Sequence, residues 1–231
     1  MSIDFLTSAV RETPHRGDDD LLTAGLGLAG LRGPSPTFAN TDAPTPLELR
    51  RRAIQTAWKA IADLGPLGGY GELYGTDASV AGREFHAFAR LPNANSPHRM
   101  LVQIPDGFDA SARCLVVTAS SGSRGIYGAI ALAGAWGLAR GCAIAYTDKG
   151  AGSGYFDTAT STGSALDGTR AAVGDADLEF VPIDSATGLR QFRNLLADYR
   201  LQVSAVACLP SSVDPVAVAV SKWPLPAPLS V

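Results

Sequence analysis

Basic residues do not outnumber acidic ones in this sequence: 19 Lys and Arg stand against 22 Asp and Glu, for a formal charge of −3. Without a basic stripe, a nucleic-acid partner is not expected. No apolar run approaches the roughly 18 residues that cross a bilayer, so no membrane partner is expected either. The N-terminus has no basic start and no long apolar core, and it carries Asp4, Glu12 and Asp18 to Asp20. No signal peptide is read there, and on this ground alone the chain reads as cytoplasmic. Histidine is scarce: His15, His86 and His98 lie far apart and lack metal-ligand spacing, so neither a metal nor another cofactor is called for. Cysteine is scarcer than a disulfide scaffold needs. Cys114, Cys142 and Cys208 make an odd count, and they read as inert thiols, two of them in buried strands. What remains is an ordinary globular composition, 46% hydrophobic and 18% charged, sufficient for the core of one domain.

The organising stretch is residues 113–154. Residues 114–119 and 142–147 are short apolar runs rich in β-branched residues, the pattern of buried strands. Between them lie a Ser/Gly loop at 120–125 and a helical run at 126–140, with Gly141 placed to take a left-handed cap. Strand, loop, helix and strand make a βαβ unit with a right-handed crossover. The loops 120–125 and 148–154 leave the carboxyl ends of parallel strands, where open α/β sheets hold their sites.

Three segments follow from the rest of the chain. Residues 1–45 read as an extended N-terminal segment, mostly loop, with Asp18-Asp19-Asp20 a solvated turn. Residues 46–182 read as a partial α/β domain. It opens with a helix at 46–64: Thr45 is the N-cap, Pro46 the first helical residue, and Glu48 closes a capping box. Ile54, Ala57, Trp58, Ile61 and Leu64 form its apolar stripe, and Arg50, Arg51, Arg52 and Lys59 read as surface charges. Residues 68–75 form a glycine-aromatic turn without the strand-before, helix-after context of a dinucleotide site. Residues 82–90 and 99–104 pair as a hairpin, and 158–176 read as loop with some helix. Residues 183–231 form a divergent, loosely ordered segment in which 189–231 contain no glycine. A helix at 190–200 and a strand at 203–209 are expected there.

Hairpin, strand, Ser/Gly loop, helix, strand is the opening order of an α/β-hydrolase sheet, incomplete here but mostly parallel with flanking helices. In that fold the loop after the third strand supplies an oxyanion-hole N–H. Gly122 and Gly125 permit close approach of the backbone, and Ser120, Ser121, Ser123 and Arg124 add donors. Asp148, Lys149 and Gly150 form the second strand-end loop. Two other readings of 120–125 stay open. Ser121-Gly122-Ser123-Arg124-Gly125 is a degenerate nucleophile elbow that would make Ser123 the nucleophile, although the strand order places it one βα unit early. Alternatively the loop merely caps the following helix. No full G-x-S-x-G occurs, and no histidine completes a Ser, Asp, His order.

The block Ser120-Ser121-Gly122-Ser123-Arg124-Gly125-Ile126-Tyr127-Gly128-Ala129-Ile130, with Gly134-Ala135-Trp136-Gly137-Leu138 and residues 140–150, resembles the 3-hydroxybutyrate oligomer hydrolase family. So do Asp19-Asp20-Leu21-Leu22-Thr23-Ala24-Gly25, Gly68-Gly69-Tyr70-Gly71 and Val102-Gln103-Ile104-Pro105-Asp106-Gly107-Phe108, and the resemblance covers roughly residues 15–182. It implies a serine esterase that cuts dimers and short oligomers of D-3-hydroxybutyrate, a small-molecule ester substrate, and acts outside the cytoplasm. It also implies a longer chain, whose nucleophile sits in a later Ser-Asn-Gly-Gly type turn. That turn and its downstream Asp and His are absent from this sequence, so a truncated or frame-disrupted copy, inactive alone, is the expectation. The rival expectation is a non-catalytic fragment that binds an acyl ligand.

Overall fold

A computed structural model describes residues 5–68, 79–89, 98–120, 125–149, 156–157, 162–172 and 205–208. Its main feature is a six-stranded mixed sheet. The strands are β1 (Arg11–His15), β2 (Gly82–Ala89), β3 (His98–Pro105), β4 (Cys114–Ala119), β5 (Ala143–Thr147) and, from the C-terminal segment, β9 (Ala205–Cys208). They lie in the order β1-β2-β3-β5-β4-β9. β2 and β3 form the expected antiparallel hairpin, with Phe85 opposite Val102. β3 runs antiparallel to β5, and β5 runs parallel to β4, as the βαβ reading requires. β9, inside the strand expected at 203–209, runs antiparallel to β4.

The N-terminal segment is mostly loop, but it is not without regular elements. Arg11–His15 adds β1 to the antiparallel edge of the sheet. Its sequence hides this because an edge strand needs no apolar alternation and tolerates Pro14. Helix α1 (Gly27–Arg32) follows. Nor is Asp20 solvated: it is fully buried. Its carboxylate accepts from the N–H groups of Leu22 (2.7 Å), Thr23 (2.8 Å) and Gly25 (2.8 Å), and from Thr23 Oγ1 (2.5 Å). A short side chain beside consecutive backbone donors gathers the chain into a knot, a competition with regular structure that aspartate is suited to win.

Helix α2 (Pro46–Ile61) starts as expected. Thr45 Oγ1 accepts from Glu48 N–H and Glu48 reaches back to Thr45 N–H, a complete capping box. It stops at Ile61, not Leu64: Ala62 turns extended, and Asp63 Oδ1 accepts from Gly65 N–H in a tight turn. Trp58 packs as expected, 1% exposed, and its indole donates to Leu22 O at 3.0 Å. Gln55 Nε2 donates to Gly30 O (2.7 Å) and Arg51 Nε to Ala24 O (3.0 Å), so α2 holds the N-terminal segment by its backbone carbonyls.

The helical run after β4 is a succession of short pieces: a π-helical turn (Ile130–Gly134), α3 (Ala135–Gly137) and a 3₁₀ turn (Leu138–Arg140). Gly128, Gly134 and Gly137 weaken it as a regular helix. They also let it lie close to the sheet: a Cβ on Gly137 would sit 2.5 Å from Ile144 Cδ1 and 3.1 Å from Val116 Cγ2. Gly141 takes the expected left-handed cap, at φ 72°. α2 and this segment cover one sheet face, burying Ile54, Trp58, Ile130 and Leu138 against Leu101, Val116, Ile144 and Tyr146. The other face buries Val102, Leu115, Ala143 and Ala145.

Two further expectations are corrected. Cys114 and Cys142 are not free thiols; they form a disulfide. Leu115 pairs with Ala143 in the parallel register, which sets the two preceding cysteines side by side with 4.6 Å between Cα atoms, and sequence spacing carries no register. Residues 158–176 contain no helix among the described residues. β6 (Phe156–Asp157), β7 (Thr162–Ser164) and β8 (Arg170–Ala172) form a small antiparallel sheet. Its turn uses Asp167-Gly168, with Gly168 at φ 84° and Asp167 Oδ1 accepting from Thr169 N–H. The helix expected at 190–200 lies outside the described residues.

Candidate functional site

The carboxyl ends of β4 and β5 are joined across the sheet. Ser120 N–H donates to Thr147 O at 2.9 Å, continuing the register one residue past β4. On the other side, Arg99 N–H donates to Asp148 Oδ1 (2.9 Å) and Asp148 N–H to Arg99 O (3.2 Å). Lys149 takes a left-handed φ of 62°, and its N–H donates to Thr147 Oγ1 at 3.1 Å. A positive φ at a β-unbranched lysine is uncommon and gathers at sites where surrounding structure holds it.

Of the expected site residues, then, Ser120, Asp148 and Lys149 stand at one end of two neighbouring strands. They are more enclosed than surface loop residues, at 1%, 1% and 5% exposure. Asp148, expected in the second strand-end loop, clamps β3 to β5 through these contacts. Burial lowers the Lys149 pKa, against the pull of Asp148. Ser120 Oγ is buried and has no hydrogen-bond partner among the described residues. Ser121, Gly122, Ser123, Arg124 and Gly150 lie outside the described residues. Gly125 ends the loop at φ 66°, and its carbonyl accepts from Gly128 N–H at 3.0 Å.

Gly125 also borders a cavity of about 890 Å³. Its walls include Leu49 and Ala53 of α2, Ile126 and Leu166; Arg50, Glu84, His86 and Tyr127 also line it. Glu84, 1% exposed, is the centre of the polar side. Its Oε1 accepts from Arg50 Nη2 (2.9 Å) and Gln103 Nε2 (2.8 Å), and its Oε2 from Tyr127 OH (2.8 Å) and Arg50 Nε (3.3 Å). His86 Nε2 lies 3.1 Å from Oε2, and His15 Nε2 3.2 Å from it at ion-pair distance. His15 Nδ1 is 2.8 Å from Asp19 Oδ2, and Arg50 Nη1 also pairs with Asp19.

The titrations follow from these contacts. Burial pushes Glu84 upward, but the Arg50 charge and the two histidines outweigh it and hold the carboxyl well below its usual range. Burial lowers His15, yet Asp19 and Glu84 overcome this and raise it above 6.5. For His86 burial prevails over Glu84, and its pKa falls. Burial first, then Glu84, raises Tyr127.

This cluster was missed in sequence. Arg50 reads as a surface charge but is 9% exposed, and Asp19 is a partner rather than a solvated turn residue. Two signals were present. Arg50 stands four residues before Ile54 on the buried stripe of α2, and Glu84 and His86 share one strand face at a spacing of two. Burying a charged residue requires a partner, so Arg50 and Glu84 imply each other. His15 and His86, distant in sequence, meet at Glu84 because β1 lies beside β2. Among the described residues no group of three or more His, Cys, Asp or Glu is placed to hold a metal ion. Nor is any helix there long and apolar enough to cross a membrane.

A family profile described as 3HB-oligomer hydrolase (3HBOH) matches residues 3–204, beyond the 15–182 expected from the motifs. A D-(-)-3-hydroxybutyrate oligomer hydrolase of Burkholderia thailandensis is 42% identical over 206 residues, covering 82% of this chain and 29% of the relative. Proteins of the same name from Burkholderia ambifaria and Burkholderia mallei are 43% and 40% identical, covering 72% and 82% of this chain and 26% and 29% of theirs. The chain thus spans under a third of the length of these relatives. No solved structure matches it.

Proposed function

The chain belongs to the 3HB-oligomer hydrolase family, and on that premise we propose that it carries the oxyanion loop and part of the substrate pocket of a carboxylic-ester hydrolase acting on 3-hydroxybutyrate dimers and oligomers. One observation carries this reading: the loop that leaves β4 beside the parallel β5 returns at Gly125, in a left-handed conformation, on the border of a cavity with both apolar and polar walls. The strand order β2-β3-β5-β4, with its antiparallel hairpin and parallel pair, supports an α/β-hydrolase-type sheet. In this reading loop 120–125 supplies the backbone donors for the developing oxyanion of an ester carbonyl.

In this reading the attacking group is not among these residues. Ser123 lies one βα unit before the nucleophile turn of such a sheet, and no Ser-Asn-Gly-Gly turn occurs in the sequence. The chain binds and polarises the ester; acyl transfer to a serine and attack of water on the acyl-enzyme need a nucleophile and base from elsewhere. The Cys114–Cys142 disulfide supports maturation in an oxidising compartment.

Titration of the isotopically labelled chain with the D-3-hydroxybutyrate dimer tests the reading. Saturable shifts at Gly125, Ile126 and Tyr127 are expected. Absence of any saturable shift up to millimolar dimer contradicts it.

A further inference from the structure

The cavity beside Gly125 carries more positive than negative charge. Arg11, Arg50, Arg52 and Arg99 line it against Asp19, Glu84 and Asp167, four cations to three carboxylates. All three carboxylates are engaged, Glu84 and Asp19 by Arg50 and Asp167 by Arg11 at 3.1 Å. Arg52 is in a different position. It is exposed and has no acidic partner among the described residues. Glu48, one turn earlier on α2, is at the spacing where a helix pairs opposite charges. It is turned to the helix cap instead, where Oε1 accepts from Ala39 N–H (2.6 Å) and Oε2 from Thr45 N–H (2.8 Å). The Arg52 guanidinium lies over the Phe38 ring, 4.2 Å from its centroid. Stacking of this kind occupies a face of the guanidinium and leaves the N–H donors, which lie in its plane, for an acceptor at its edge.

We infer that the cavity takes the carboxylate end of a short hydroxyacyl ester, with Arg52 as the residue that receives the carboxylate and Leu49 beside the ligand's methyl branch. This inference rests on the ester-hydrolase reading and adds to it which end of the substrate enters and what holds it. The two ends of such a molecule differ in charge at pH 7: one is an ionised carboxylate, the other a neutral secondary alcohol. Excess positive charge discriminates between them, and a guanidinium meets a carboxylate with two parallel hydrogen bonds. Leu49, Arg52 and Thr56 follow one another on α2 at spacings of three and four, and all three line the cavity. An apolar contact and a hydroxyl donor thus flank the guanidinium on one helix face. Gly125 borders the same cavity of about 890 Å³, which connects this end to the loop assigned to the ester carbonyl. Arg52 is a specificity residue, touching the carboxylate and not the scissile bond.

The test uses three ligands on the full chain at pH 7: the D-3-hydroxybutyrate dimer, its methyl ester, which lacks the carboxylate, and its methyl ether, which keeps the carboxylate and caps the hydroxyl. Affinities are read by NMR titration. The methyl ester is expected to bind about tenfold more weakly than the dimer, and the ether about as well as the dimer. Added salt should weaken the dimer and the ether but not the methyl ester. In Arg52→Gln the preference for the free acid should vanish, and Arg52→Lys, which keeps the charge without the planar fork, should recover part of it. Equal binding of the dimer and its methyl ester, tighter binding of the methyl ester than of the ether, or a preference that survives in Arg52→Gln overturns the inference. If such a result accompanies saturable binding of the dimer, the ester-hydrolase reading stands without it. If none of the three binds, both fall. The comparison of ligands on the unaltered chain decides the matter even if an Arg52 variant fails to fold.

Discussion

Replacing Glu84 with glutamine alters the polar centre at nearly constant volume. The carboxylate now accepts from Arg50 through two nitrogens and from Gln103, Tyr127 and His86. A glutamine accepts at one oxygen and presents an NH₂ at the other, so one group of these donors meets another donor. Tyr127 can rotate its hydroxyl to accept. Gln103 cannot adapt as easily, because Tyr146 OH donates to its Oε1 (2.8 Å) and its Nε2 also donates to Leu21 O (2.9 Å). Arg50 keeps Asp19 and Asp20 O but loses its most deeply buried counter-charge. Removing one partner of a buried pair typically costs about 3–5 kcal/mol; the retained Asp19 contact puts the expectation at the lower end, about 3 kcal/mol. Against a usual domain stability of about 5–15 kcal/mol this is a large share. Urea titrations at pH 7 of wild type, Glu84→Gln and the double variant Glu84→Gln/Arg50→Met measure it, and the double variant should be less destabilised than the sum of its single changes. A loss below about 1 kcal/mol in Glu84→Gln, or strict additivity, would refute the reasoning.

The same network sets a pH dependence. Glu84 has a depressed folded pKa, so its contribution is fully present above its ordinary value of 4.5 and is lost as pH falls toward the folded value; Glu84→Gln should flatten the acid limb of a stability–pH curve. His15 acts oppositely: its pKa is raised, so its contribution is present below 6.5 and is lost as pH climbs through the folded value, and His15→Gln should remove that alkaline decline. Thr45→Ala should cost about 1 kcal/mol through loss of the capping box, and a change under about 0.3 kcal/mol in denaturant titration would contradict that helix start. Cys114→Ser should cost about 3.5 kcal/mol, the chain-entropy value for a 28-residue separation, with thiol reduction lowering the melting temperature in parallel. Gly137→Ala should cost about 1–3 kcal/mol by crowding Ile144 and Val116, read from the urea midpoint.

What sequence reveals here divides along local and non-local lines. The cap of α2, the β2–β3 hairpin, the strands β4 and β5 and the left-handed Gly141 rest on neighbours within a few residues, and each is legible in the chain. The Asp167-Gly168 turn has a local signal too, since that dipeptide favours hairpins, but the small polar residues around it hide the short strands it joins. The disulfide and the Glu84 cluster depend on register and strand order. Cys114 and Cys142 meet only because β4 and β5 align as they do, and His15 reaches Glu84 only because β1 lies beside β2. At the strand ends, the places of Ser120 and Asp148 are legible from the strands that precede them, but the clamp between Asp148 and Arg99 depends on the β3–β5 pairing.

The central claim is that loop 120–125 stabilises an oxyanion and does not supply the nucleophile. Hydrolysis of the D-3-hydroxybutyrate dimer by this chain and by its Ser123→Ala variant, at equal concentration and with both shown to be folded, tests it most directly. Binding and oxyanion donors can by themselves exceed the rate in water, so the variant and not buffer is the reference. The account predicts equal and slow rates for the two proteins. Rapid turnover by the chain that Ser123→Ala abolishes would contradict it and make Ser123 the nucleophile.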